Sequence, residues 1–395
     1  MDAADPGGST RRKRRAVAWG AAATIVVIAA GFAYLYKPQP ALSPPVASPT
    51  AEPVGFTDDL MFTDFTSSEV AWALHYPTRA PQITEGQFWI SRTVDGGRHW
   101  QVRFKGKRTS GAFSPATIRF FDKDHGLAFL GDSPPQFLST TNGGANWQSV
   151  LVPSSVEDPQ RTQIAFGDAS HGWVLDRAVD GQPLLYETRD GGYLWKRLAD
   201  PPAGAQALFP RRTAEVWIGW HGTGPLRVYL SIDSGHSWQL REIPYPASVS
   251  NASTGAWATF VQLLPGTGVV VTAYCDCTRD GGAYVWTSFD GGATWRIVPP
   301  YPGSSQFFGR VAFQDGLHWW LVFDQKLQRS SDAGQTWTQV SDQLPGWRIF
   351  PTSVDAQHAW ALITESGAPD LRVHGLATTS DAGLHWTRVT VPISS

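Results

Sequence analysis

The sequence predicts an all-β protein: a seven-bladed β-propeller of four-stranded antiparallel blades, preceded by one N-terminal transmembrane helix. Three observations predict it. First, the motif Ser/Thr-x-Asp/Asn-x-Gly-x-x-Trp recurs seven times, as TVDGGRHW, TTNGGANW, TRDGGYLW, SIDSGHSW, SFDGGATW, SSDAGQTW and TSDAGLHW. Its third residues are Asp95, Asn142, Asp190, Asp233, Asp290, Asp332 and Asp381, spaced by 47, 48, 43, 57, 42 and 49 residues. A period in the forties marks a repeat architecture. Second, every copy lies between short runs rich in β-branched and aromatic residues. Third, one long uncharged run stands near the N-terminus.

The elements follow in chain order. Residues 1–15 form a basic tail ending in RRKRR, expected to stay in the cytoplasm. Residues 16–36, AVAWGAAATIVVIAAGFAYLY, carry no charge. As a helix this run reaches ~30 Å, the thickness of a bilayer core. A cleaved signal peptide is the alternative, but its apolar stretch is normally only ~7–15 residues with an Ala-x-Ala-like site. Gly31-Phe32-Ala33 is a poor site of that kind. The run is therefore read as a retained single-pass anchor, and under either reading the rest of the chain is extracytoplasmic. Residues 37–55 are rich in Pro, Ala and Ser and read as an extended spacer.

Residues 56–395 carry the repeats. A strand-like second run precedes each motif: VAWAL, GLAFL, GWVL, VWIGW, VVVTA, WWLVF and AWALI. Before each of these stands another apolar run, namely LMFTDF, TIRFF, QIAFG, QALF, ATFVQLL, FGRVAF or FPTSV. With the strands that flank the motif, each unit has four antiparallel strands, and radial repetition of such units makes a propeller. The last strand, TRVTVPI (387–393), completes the seventh unit, so packing between blades, rather than a shared blade, is expected to close the ring. A composition with 39 Gly, 29 Pro and 19 Trp suits short strands and tight turns. A net charge of −2 gives no footing for nucleic acid.

The motif reads as a tight hairpin turn. The Asp side chain accepts turn amides, and the fifth-position Gly suits positive φ. The motif tryptophans, Trp100, Trp147, Trp195, Trp238, Trp295, Trp337 and Trp386, bury a ring and are expected to find an indole N–H partner at the hairpin. Seven carboxylates on seven hairpins cannot converge on one catalytic or metal centre, so these residues are read as structural.

These boxes resemble the Asp-box, or bacterial neuraminidase repeat, over about residues 56–395. That motif occurs in sialidase-like propellers, sortilin-type domains, xyloglucan-degrading enzymes and the photosystem II assembly and stability factors. The resemblance implies the propeller fold and leaves several functions open. Its sialidase branch implies an arginine triad, for which Arg119, Arg310 and Arg348 are the candidates, in or just before the first strands of units two, six and seven. The sialidase arginine motif near the N-terminus is missing, REIPYP at 241–246 matches it loosely, and the Tyr–Glu pair and acid Asp are not identified.

Among other reactive residues, Cys275 and Cys277 are the only cysteines and read as a disulfide or a free pair. His125, His171, His318 and His358 occupy one turn position in different units and read as turn residues. No metal, cofactor or catalytic set is assigned. The loops 75–87, 152–163, 243–257, 273–283, 298–308 and 364–375 carry aromatic and Arg residues, among them Trp257 and Tyr274, as an interaction surface does. The expected function is a membrane-anchored, non-enzymatic protein-binding or assembly module, similar to the photosystem II assembly factors. Its partner would be a protein or a surface glycan on the loop face. The alternatives are a sialidase-like cell-surface glycosidase and a carbohydrate-binding propeller.

Overall fold

The computed structural model describes most of residues 60–389 and leaves out 1–59, 390–395 and several inter-strand segments, chiefly 77–86, 108–115, 131–135, 154–161, 248–254, 276–282, 300–309, 345–347 and 365–374. The expected anchor and spacer lie outside the described residues. No described helix is long and apolar enough to cross a membrane.

The described residues hold 28 strands, β1–β28, in successive groups of four. The first group is β1 (Leu60–Phe65), β2 (Ala71–Tyr76), β3 (Gln87–Thr93) and β4 (Trp100–Lys107), paired in that order and antiparallel throughout. The later groups repeat this meander, each with its box between its third and fourth strands. First strands of neighbouring groups lie against each other, as β1 does with β5 (Ala116–Phe120) and β21 (Arg310–Phe313) with β25 (Arg348–Ser353). They form the inner wall, and fourth strands are the outer edges.

One join departs from the repeat. The nine-residue β14 (Glu215–Thr223), second strand of unit four, runs on to pair with β17 (Ala256–Leu263), first strand of unit five. Units four and five thus share one eight-stranded sheet.

The core lies in the seams between units. Trp72, Leu74, Phe88 and Ile90 of unit one pack on Ile118, Phe120, Ala128 and Leu138 of unit two. The rings of Trp72 and Phe120 stack with centroids 3.7 Å apart. Corresponding clusters join every successive pair of units. Trp360, Leu376 and Val389 of unit seven in turn pack on Ala71, Ala73 and Trp100 of unit one. Phe65 stacks on Trp360 at 5.0 Å. A Cβ on Gly97 would come within 2.9 Å of the Trp360 ring, so this box glycine also makes room for the seam.

The boxes share one geometry. The Ser/Thr hydroxyl donates to the third-position side-chain oxygen at 2.7–3.1 Å. The same hydroxyl accepts the fifth-position glycine N–H at 2.7–3.0 Å. The third-position oxygen also accepts the seventh-position N–H at 2.8–2.9 Å. The fifth-position glycines have φ between 78° and 97°. The fourth position is left-handed as well, including Ser234, Ala333 and Ala382, where a side chain costs energy. The indole N–H of Trp147 and of Trp386 donates to the box glycine carbonyl. Those of Trp100, Trp238 and Trp295 have no hydrogen-bond partner. The expected indole bond is therefore not a common feature: ring burial in the seam, rather than the N–H, positions these tryptophans.

The box carboxyls lie below the usual carboxylate range for a physical reason. Hydrogen bonds from the Thr294 hydroxyl and amide hold Asp290 down at about 2. The His385 amide, chiefly, does the same for Asp381. A carboxyl whose folded pKa lies below its unfolded value of ~3.9 stabilises the fold above that value. The contribution is lost as pH falls from about 4 towards 2. Three outcomes are expected in thermal melts. Stability drops steeply over that acid window, and Asp290→Asn flattens the drop. Ala382→Gly raises stability by up to ~1 kcal/mol by relieving the left-handed strain. Trp360→Ala, which empties the seam between units seven and one, costs ~3–5 kcal/mol.

Candidate binding surface

One face of the molecule carries the boxes and the turns between first and second strands. Four of these turns have the pattern Asp-x-x-His. Asp122, Asp168, Asp315 and Asp355 accept the backbone N–H of His125, His171, His318 and His358 at 2.7–2.8 Å. The His125, His318 and His358 rings fold back onto their own Asp through Nδ1 at 2.8–2.9 Å. Burial pushes these carboxyls up, but the hydrogen bonds from the turn amides outweigh it and hold them below the usual range. The histidines thus close turns, and no group of three metal-ligating side chains occurs among the described residues. The fourth box residue then docks on this turn, as in Gly143 N–H to the Asp124 carbonyl at 2.8 Å and Ala382 N–H to the Gln357 carbonyl at 2.9 Å. Both hairpins of these units are pinned together, and in every box the third-position Oδ1 is engaged by its own turn.

The inner wall holds the arginine candidates. Arg119 is 8% exposed, on β5, beside the buried Asp64 of β1. Burial pushes the Asp64 carboxyl up to about 6, against the pull of Arg119 and the N–H of Phe120 donating to Oδ2. The Arg119 guanidinium also lies 5.5 Å from the Phe121 ring centroid. Arg119 therefore belongs to the seam rather than to an open ligand site. Strand register separates the three arginines. Arg119 is one residue along from the position paired with the box Ser/Thr, Arg310 three and Arg348 five. At ~3.3 Å per residue they climb in steps of about 7 Å and do not share one height. The side chains of Arg310 and Arg348 lie outside the described residues. Side chains also stitch the inner strands together: Gln163 exchanges two hydrogen bonds with the Leu208 backbone, and Gln206 donates to the Thr259 carbonyl.

The opposite face corrects part of the loop reading. Trp257 is not a loop residue: it lies in β17, fully buried, in the seam between units four and five. Its place in the strand joining the two units explains the burial. Tyr274 is the penultimate residue of β18 (Val269–Cys275) and is 37% exposed, its ring edge-on to Phe260 at 5.7 Å. Cys275 is disulfide-bonded; Cys277, the only other cysteine, lies outside the described residues. At this end of the joined sheet, Arg227 stacks on Trp220 at 4.7 Å, and the Tyr245 hydroxyl donates to the Gly224 carbonyl at 2.7 Å. The exposed His221 sits in the same extension of β14. Sequence reasoning missed Trp220 and Arg227. The one available signal was the 57-residue spacing between the fourth and fifth boxes, which houses the long strands. Most of the other candidate loops lie outside the described residues.

No protein-family model matches the chain. It is 24% identical over 253 residues to the photosystem II assembly protein Ycf48 of Synechococcus, covering 62% of this chain and 67% of that one. It is 21% identical over 269 residues to a xyloglucanase of Hypocrea jecorina, covering 54% of this chain but only 30% of the enzyme. The solved structure of YCF48 bound to D1 peptide superposes with a TM-score of 0.54 at 16% identity, over 86% of this chain and 99% of that one. The fold is thus a β-propeller, and the chain is similar to assembly factors and to a glycoside-hydrolase propeller.

Proposed function

We propose that this chain is a membrane-anchored, extracytoplasmic seven-bladed propeller that binds a protein and acts in assembly rather than catalysis. The observation that carries the reading is the engagement of all seven box acceptors by their own turns, which makes the repeated polar groups a scaffold. The cycle of seven seams, the last between units seven and one, supports the blade number. Similarity to Ycf48, a relative of which is solved with a bound peptide, supports a polypeptide partner. The uncharged run at 16–36 supports the anchor. The binding surface we favour is the far end of the joined sheet, where Tyr274, Arg227 on Trp220, and His221 gather aromatic and cationic groups on a rigid support.

The test is affinity purification of the full-length chain from its native membrane in mild detergent. A stoichiometric protein partner is expected, and Tyr274→Ala with Arg227→Ala is expected to lose it while thermal stability stays within ~1 kcal/mol. A chain that comes down alone counts against the reading. The similarity to a xyloglucanase favours a second reading, a surface glycosidase. Turnover of aryl glycosides or polysaccharides by the purified chain would establish it, and inactivity across a broad panel would remove it.

A further inference from the structure

The boxes carry apolar side chains that their turns do not need. Ten large hydrophobic residues are exposed among the described residues, and nine of them lie in a box, in a turn between first and second strands, or within two residues of a box. Val94, Ile232 and Phe289 hold the second box position, Tyr193 and Leu384 the sixth, and Leu194 the seventh. In other boxes these positions carry Thr141, Arg189, Ser331, Ala145 or Asn146, and the turn is unchanged. Leu194, 73% exposed, gives up the side-chain donor that His, Ser or Thr supplies to the box carboxylate in five units. One exposed apolar residue standing alone is ordinary, but a set of them on one face marks a docking surface.

The set stands on rigid supports at one end of the molecule. To the boxes of units one, three, four, five and seven, the first turn of unit six adds Leu317, 51% exposed. Phe289 shows how neighbouring units gather these side chains. A Cβ on Gly268 would lie 3.4 Å from its ring and one on Gly316 3.0 Å. The ring, 47% exposed, therefore rests on turns of units five and six, close to Leu317. Charges of both signs stand on the same face, Lys123 and Arg189 with Asp122, Asp315 and Asp355. Apolar tips on six units at one end define a plane rather than a groove, and mixed charge selects no ion. A flat surface with an apolar interior fits them better than one polypeptide does. The chain brings such a surface with its own uncharged run at 16–36. The first strand sets out from the opposite face. The stretch 37–59, extended, reaches on the order of 70 Å, several times the height of that six-residue strand.

We propose that the box face lies on the bilayer that holds the anchor, with Leu194, Phe289, Leu317 and Leu384 dipping among the lipid headgroups and upper acyl chains. Each apolar tip withdrawn from water favours the contact, and the tether keeps the local concentration of lipid high. This rests on the membrane-anchored reading. It leaves the far end, with Tyr274 and Arg227, turned towards the protein partner.

The experiment uses the full-length chain in phosphatidylcholine nanodiscs, labelled with bimane at one of two sites. Leu384→Cys lies on the box face; Asp180→Cys lies on the far face, in the exposed turn between β10 (Gly172–Arg177) and β11 (Pro183–Thr188). A spin label on the upper acyl chain of the lipid is expected to quench the first label roughly fivefold more than the second, equally at low and high salt. Phe289→Asp with Leu317→Asp is expected to lower the docked fraction roughly tenfold. A melt verifies that this variant is folded, and the contrast between the two labels is read without it. Absence of quenching at Leu384→Cys, equal quenching at both sites, or quenching that salt removes overturns the proposal. A folded double variant that docks as before overturns it too. A second copy or a protein seated on this face excludes lipid and gives the first of these outcomes. Extraction by alkaline carbonate tests the anchor separately. For a chain that is extracted, the two labels are compared on added vesicles, where quenching at Leu384→Cys alone supports the box face and its absence overturns it.

Discussion

One hydroxyl per repeat carries the architecture. In each box a Ser or Thr oxygen takes the N–H of the fifth-position glycine and gives its proton to the Asp or Asn two residues on. That oxygen is fully used, and so the turn has one conformation. The third-position side chain then takes the seventh amide and aims the following Trp into the seam. In five units its second oxygen also takes a donor from the seventh side chain, His, Ser or Thr, at 2.6 Å. Asn142 replaces the carboxylate without changing the turn, which shows that the geometry needs an acceptor rather than a charge.

The seams follow from these turns. A four-stranded sheet buries little by itself, so each unit is stable only against its neighbours. The fully buried tryptophans, Trp72, Trp173, Trp217, Trp319, Trp320 and Trp360 among them, fill those contacts. Polar links are placed where strand sequence allows, as with Gln163 on Leu208 and the Asp64–Arg119 pair. A buried guanidinium in such a place contributes to the fit between two units, and truncating its partner would strand a charge.

Two features break the repeat, and both lie where the scaffold meets the outside. The β14–β17 join fuses units four and five and raises a Trp–Arg–Tyr end onto a rigid base. The eight-residue β4 is the longest of the described outer strands and carries exposed lysines near the box built on Asn142. The repeated parts are occupied with their own hydrogen bonds, so departures from the repeat are where recognition can be added without cost to folding.

By itself, the sequence determined the unit, its strand order and the position of each box, because a hairpin turn is local: hydroxyl, carboxylate and glycine lie within five residues of one another. The turn role of His125, His171, His318 and His358 was legible for the same reason. Only the tertiary structure decided which aromatic and charged residues are buried. Trp257 reads as a loop residue until its strand pairs with β14 of the preceding unit. Arg119 reads as a ligand-binding arginine until Asp64, 55 positions earlier, is brought beside it. Burial of a side chain in a seam depends on the neighbouring unit, tens of residues away, and no local pattern encodes that distance.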